Sequence, residues 1–198
     1  MSLRQSYTLI APFYDFALDR ATRAARRESL TQLPTTPSQV LLAGIGTGLD
    51  LPLLPQQHRY VGLDLTAAML SRALPKAGAL DFSPIQGDAQ RLPLTTASCD
   101  AAVLHLILAV VPNPAACLAE AARVVRPGGS ILIFDKFLRP GQTAPLRRLA
   151  NRLMRHLATR LDVVFEDVMA EQSHLTVHSD RPALANGWFR HVHLRRQD

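Results

Sequence analysis

The sequence predicts an α/β fold: a seven-stranded, mostly parallel sheet with helices on both faces. Three observations carry this prediction. Between about residues 38 and 136, short apolar runs alternate with helix-like runs, as in parallel strands joined by crossover helices. The run Cys99 to Leu106 is strongly apolar, as expected of a strand covered on both faces. A glycine-rich turn, Gly44 to Gly48, closes the first apolar strand, and turns of this kind hold ligands at the carboxyl edge of such sheets.

The elements follow in order. Residues 16 to 33 read as a helix with Arg20, Arg23, Arg26 and Arg27 on its polar side, ended by Pro34 and Pro37. A strand at 39–43 enters the glycine turn, which is expected to open a helix whose N-terminus faces the ligand. Arg59 to Asp64 reads as a strand, and Thr66 as the N-cap of the helix 67–74. Phe82 to Gln86 is a weak strand and Cys99 to Leu106 a strong one. Asn113 followed by Pro114 opens a helix that stops at Arg126-Pro127-Gly128-Gly129. Ser130 to Asp135 is a buried strand. Helices are expected at Ala144 to Arg160 and Asp162 to Glu171, and strands at Leu175 to Val177 and Trp188 to Arg195.

The 198 residues suffice for one domain with a full core and are short for two. We read a single domain, 1–198, with a helical segment at 1–37, a ligand-binding core at 38–136 and closing helices and strands at 137–198. The longest apolar stretch, Ala101 to Val111, is too short to span a bilayer, which needs about 20 residues. The N-terminus lacks the pattern of a secretory signal, and Cys99 and Cys117 have no metal-type spacing. No metal is expected, and a reduced cytoplasmic setting is the default. The net charge of +6 comes almost wholly from arginine, since Lys76 and Lys136 are the only lysines. It reflects either a genome that favours arginine codons or attraction to an anionic surface.

The glycine turn discriminates between ligands. A nucleoside triphosphate loop needs Gly-Lys-Ser/Thr, but Gly48 is followed by Leu49-Asp50. A dinucleotide site prefers G-x-G-x-x-G, whereas Gly44-Ile45-Gly46-Thr47-Gly48 has the wrong third spacing, and Asp50 would repel a pyrophosphate. S-adenosylmethionine carries no phosphate and needs no lysine.

VLLAGIGTG at residues 40–48 resembles the first motif of the class I S-adenosylmethionine-dependent methyltransferases. Other motifs follow in that family's order. Tyr60-Val61-Gly62-Leu63-Asp64 resembles its acidic-ended second strand, and Thr66-Ala67-Ala68-Met69-Leu70 its S-x-x-M-L. Gln86-Gly87-Asp88-Ala89 with Leu92-Pro93-Leu94 resembles its G-D-A-x-x-L-P loop, and Arg126-Pro127-Gly128-Gly129 the turn before its fifth strand. The resemblance implies a Rossmann-like, doubly wound fold. It implies a cofactor site built from Gly44, Ile45, Gly46, Thr47, Gly48, Asp64, Leu65, Met69, Gly87, Asp88, Ala89 and His105. There Asp64 would accept both ribose hydroxyls, Met69 would pack near the adenine, and Asp88 would bind the adenine amino group. One departure is Leu42, where the family usually has an acidic residue; Asp50 is the neighbour that could compensate.

The segment Tyr7 to Asp15 resembles the Y-x-x-x-A-x-x-Y-D of quinone C-methyltransferases and bacterial phosphatidylethanolamine N-methyltransferases, where it forms a lid. The resemblance makes Tyr7 and Tyr14 candidate catalytic residues. His105, at the mouth of the fourth strand, is a third candidate as a base or acceptor-orienting group, with a packed strand-end histidine as the alternative, and His174 and Lys136 are weaker candidates of the same kind. Leu106 to Pro114 is closest to the phospholipid branch. In residues 144–160, Leu146, Leu149, Leu153 and Leu157 share one helical face and five arginines take the other sides. Such a helix either packs on the sheet or lies on an anionic membrane. The expected activity is methyl transfer to a small or lipidic acceptor, first a phosphatidylethanolamine head group and second a quinone. The expected location is cytoplasmic, with contact at the inner membrane face. No nucleic-acid partner is expected. A non-catalytic cofactor- or membrane-binding module is the alternative from another class, and a dinucleotide-dependent oxidoreductase a third.

Overall fold

The structure is a computed structural model, and it describes residues 18–138 and 162–198. The expected helix at 144–160, Tyr7 and Tyr14 all lie outside the described residues. Helix α1 covers 18–30. It is followed by β1 (Gln39–Ala43), β2 (Arg59–Asp64), α2 (Ala67–Ala77), β3 (Asp81–Gln86), β4 (Cys99–His105), α3 (Pro114–Val124) and β5 (Val125–Lys136). The chain closes with α4 (Phe165–Ala170), β6 (Leu175–Leu184) and β7 (Phe189–Arg196).

The strands form one seven-stranded sheet in the order β3-β2-β1-β4-β5-β7-β6. The first five run parallel, and β7 is antiparallel to both neighbours. Each central strand feeds two cores by alternation. Val40, Leu42, Ala101, Val103 and Leu132 meet Leu30 and Leu33, at and just beyond the end of α1, together with Ala73 and Ala77 of α2. Leu41, Ala43, Ala102, Leu104, Ile131 and Ile133 meet α3 and α4 through residues such as Leu118, Ala121, Phe165 and Val168. The helix starts follow their cap residues. The Thr66 side chain accepts from the Met69 N–H, and Asn113 accepts from the Ala116 N–H with Pro114 in the first turn.

Three expectations are corrected. The glycine turn does not open an α-helix: a single 3-10 turn, Leu51–Leu53, follows it. The connection from Leu49 to His58 is short; Pro52 fits the first turn, and Pro55, which lacks an N–H, stops the helix from continuing. Arg26 is not on a solvent face but is 1% exposed. Strand β6 runs to Leu184 rather than Val177. It is an edge strand with mostly exposed residues and Pro182, so it shows little apolar alternation.

Candidate active site at the carboxyl edge

The parallel strands end together at Ala43, Asp64, Gln86, His105 and Lys136. All three glycines of the turn take a positive φ, and they differ in what a Cβ would meet. A Cβ on Gly44 would lie 2.1 Å from Ile107 Cδ1, and one on Gly48 would lie 2.9 Å from Ala73 Cα. Both glycines therefore admit packing by the protein itself. A Cβ on Gly46 would meet nothing within 4 Å, and its φ of +56° favours glycine. Gly46 is the member of the set that faces open space.

The loop is bonded to the end of β2. The Ile45 N–H donates to the Leu63 carbonyl at 2.9 Å. The Gly46 N–H donates to Asp64 Oδ2 at 2.9 Å, while Asp64 Oδ1 accepts from the Thr66 N–H at 2.9 Å and its hydroxyl at 3.2 Å. A carboxylate has about four acceptor sites, so Oδ2 retains capacity for a hydroxyl. Leu65 beside it is 66% exposed, a bare apolar surface next to the carboxylate. Met69 is half-buried at the start of α2. Sequence reasoning missed Lys76, whose Nζ reaches back from the last turn of α2 to the Thr47 carbonyl at 2.7 Å. It braces the loop backbone.

Asp88 is exposed and Ala89 buried. Asp88 Oδ1 accepts from the Gln90 N–H at 2.9 Å, and Gln90 Oε1 in turn accepts from the Asn113 N–H at 2.9 Å. The Gly87 N–H donates to the Asp64 carbonyl. Asp64, Leu65, Gly87 and Asp88 thus form one continuous rim beyond β2 and β3.

His105 ends β4 and is held on both ring nitrogens, with Nδ1 3.0 Å from Asp50 Oδ2 and Nε2 2.9 Å from Ser29 Oγ. Burial opposes ionisation of Asp50, but His105 and Arg26 outweigh it and hold the carboxyl down at about 2. An ionised Asp50 only accepts, so His105 Nδ1 carries a proton. Arg26 Nη1 donates to Asp50 Oδ1 at 2.8 Å and Nε donates to Thr22 Oγ1 at 3.0 Å, while Nη2 pairs with Asp19. The signal that could have revealed Arg26 is the small-residue stripe Thr22, Ala25, Ser29, which shares its buried face.

Asp135 is fully buried near the end of β5 and accepts from the Ala109 N–H at 3.1 Å and the Lys136 N–H at 2.8 Å. Burial pushes its carboxyl up to about 6 against these bonds. It fastens the segment after β4, where Leu106 takes a φ of +57°. Lys136 is half-buried at the same edge, and burial lowers its pKa. His174 is not brought to the site. It precedes β6, whose first residue pairs with Arg196 at the other edge of the sheet.

The site offers uncharged backbone, two partly or fully exposed carboxylates, Asp64 and Asp88, and apolar flanks. That suits a hydroxylated ligand without phosphate. The sequence profile described as "Methyltransferase domain" matches residues 41–133. A phosphatidylethanolamine N-methyltransferase of Cereibacter sphaeroides is 30% identical over 189 residues, 93% of each chain. A ubiquinone/menaquinone biosynthesis C-methyltransferase of Syntrophotalea carbinolica is 30% identical over 177 residues, 83% of this chain and 73% of that one. Among solved structures, the methyltransferase in complex with a Haloferax volcanii methyltransferase activator superposes with a TM-score of 0.77 at 17% identity, covering 96% of this chain and 97% of that chain. The geranyl diphosphate C-methyltransferase of Streptomyces coelicolor, solved with S-adenosyl-L-homocysteine, gives 0.71 at 16% identity over 88% and 79%. The fold is the Rossmann-like methyltransferase fold. The chain belongs to the class I S-adenosylmethionine-dependent methyltransferases and is an enzyme of that class, which sets aside the non-catalytic and oxidoreductase alternatives.

Proposed function

We propose that this enzyme methylates the amine of a phosphatidylethanolamine head group. The observation that carries the proposal is the 30% identity to a phosphatidylethanolamine N-methyltransferase along 93% of both chains. The arginine- and leucine-patterned segment at 144–160 supports contact with an anionic membrane. Among the described residues no helix is long and apolar enough to cross a membrane; the mode proposed, on the pattern of 144–160, is a peripheral contact.

The residues fit the methyl donor. Gly46 leaves room for close approach, and the free capacity of Asp64 Oδ2 is available to a ribose hydroxyl. Leu65, Ile45 and Met69 supply apolar surface for a base, with Asp88 at its edge. When bound, S-adenosylmethionine supplies an electrophilic methyl group on a sulfonium. An ammonium acceptor must lose a proton before it can attack. With Nδ1 protonated towards Asp50 and Nε2 facing Ser29 Oγ in a buried bond, a proton reaches His105 only by way of the Ser29 hydroxyl. Tyr7 and Tyr14 are proposed to line the acceptor side, where aromatic faces attract a developing quaternary ammonium.

The test is incubation of the enzyme and labelled S-adenosylmethionine with mixed vesicles containing phosphatidylethanolamine and a demethylated quinone. Label in the lipid amine is the expected result. Label in the quinone alone overturns the acceptor assignment in favour of the second reading, which the quinone-methylating relative supports. Vesicle binding that rises with anionic lipid and falls with salt is expected of the membrane contact. Equal binding to neutral vesicles removes it.

A further inference from the structure

We infer that Arg26 and Asp50 are positioning residues that couple the docking of α1 to ligand binding at the glycine loop. The inference rests on the reading of that loop as the cofactor site. Asp50 stands two positions beyond Gly48 and immediately precedes the 3-10 turn. There the Leu51 N–H donates to the Gly48 carbonyl at 3.2 Å and the Leu53 N–H to the Asp50 carbonyl at 2.8 Å. Whatever holds Asp50 therefore holds the exit of the loop. Both of its carboxylate oxygens are engaged, one by Arg26 on α1 and one by His105 at the end of β4. α1 adds a second tie to β4 through Ser29 and His105 at 2.9 Å.

The guanidinium is buried, with its side chain 2% exposed. Nε, Nη1 and Nη2 are each assigned to a different side chain, Thr22, Asp50 and Asp19. A buried arginine fixed in this way has little freedom to find another partner. If α1 lifts, Asp50 loses Arg26 and His105 loses Ser29, and the loop exit keeps only its tie through His105 to β4. Conversely, a ligand that holds the loop in its bonded shape stabilises the seat of Arg26. Linkage makes the two effects reciprocal.

The test is amide hydrogen exchange of residues 18–30 with and without saturating S-adenosylhomocysteine, beside calorimetric titration of the same samples. In the wild type, the ligand should slow exchange in this segment by about 5-fold or more, the lower end of ordinary coupling. In Asp50→Asn this ligand-dependent increment should disappear and affinity should fall by about the same factor. Arg26→Lys, which keeps the charge and loses the planar fork, replaces it should Asp50→Asn fail to fold. Wild-type binding without any change in 18–30 exchange overturns the coupling and leaves the cofactor reading standing. A variant that is merely less stable, with the ligand-dependent increment intact, also overturns it. Absence of wild-type binding overturns the cofactor reading and the coupling with it.

Discussion

Two of the aspartates at the carboxyl edge, Asp64 and Asp50, have opposite surroundings. Asp64 is partly exposed, bonded to nearby N–H groups and a hydroxyl, and keeps acceptor capacity beside an open glycine and a bare leucine. Asp50, also next to the loop, is spent on a buried arginine and a histidine. The first faces open space and the second faces the protein. A carboxylate near a glycine motif is therefore informative only once its partners are known. The glycines divide in the same way, since Gly44 and Gly48 make room for side chains of the protein and only Gly46 opens outwards.

The contrast should break most visibly at Arg26. Arg26→Ala leaves Asp50 and Asp19 without their shared cation, and urea unfolding should show a loss of about 3–5 kcal/mol, the usual result of breaking a buried pair. Asp64→Ala should do the reverse. Affinity for S-adenosylhomocysteine should fall about 100-fold by calorimetry, from the loss of charge-assisted hydrogen bonds worth about 1.5–3 kcal/mol each, with a much smaller change in stability. Gly44→Ala forces a Cβ onto Ile107 and should cost about 1–3 kcal/mol of stability. Gly46→Ala meets no atom and should cost only about 1 kcal/mol from its backbone angle, while weakening ligand binding more than Gly44→Ala does per unit of stability lost.

A further effect is in pH dependence, away from both aspartates. His193 is buried on the α1 face of β7, with Nε2 3.1 Å from Ser130 Oγ and Nδ1 unpaired. Burial, aided by Arg195 and His178, lowers its pKa to about 4. The unfolded chain protonates this histidine first as pH falls through its ordinary 6.5. Stability should therefore decline as pH falls from 6.5 to about 4, by about 3 kcal/mol at most. Asp135, raised to about 6, contributes an opposite slope above its ordinary value. The difference between wild type and His193→Gln at pH 7.5 and 5 isolates the histidine.

Much of the frame was legible in the sequence. β1 and β2 lie where their apolar runs place them, because a strand inside a parallel sheet needs little but apolar surface. The caps Thr66 and Asn113 were readable because capping is a local bond. The knot at Asp50 was not legible. An arginine enters any periodicity as a polar residue, and its burial depends on partners 24 positions away in sequence. The brace from Lys76 to Thr47 likewise spans 29 positions. The motif spacing picked out a turn at the carboxyl edge of the sheet but could not separate the glycine that opens outwards from those that make room for packing.

The brevity of the turn after Gly48 has a kinetic consequence. With only Leu51–Leu53 coiled there, α1 roofs that part of the sheet, and it precedes every strand it leans on. Its ties reach forward to Asp50 and, 76 positions on, to His105. Closing so wide an arc is slow, so this helix, made early, should be among the last elements to settle.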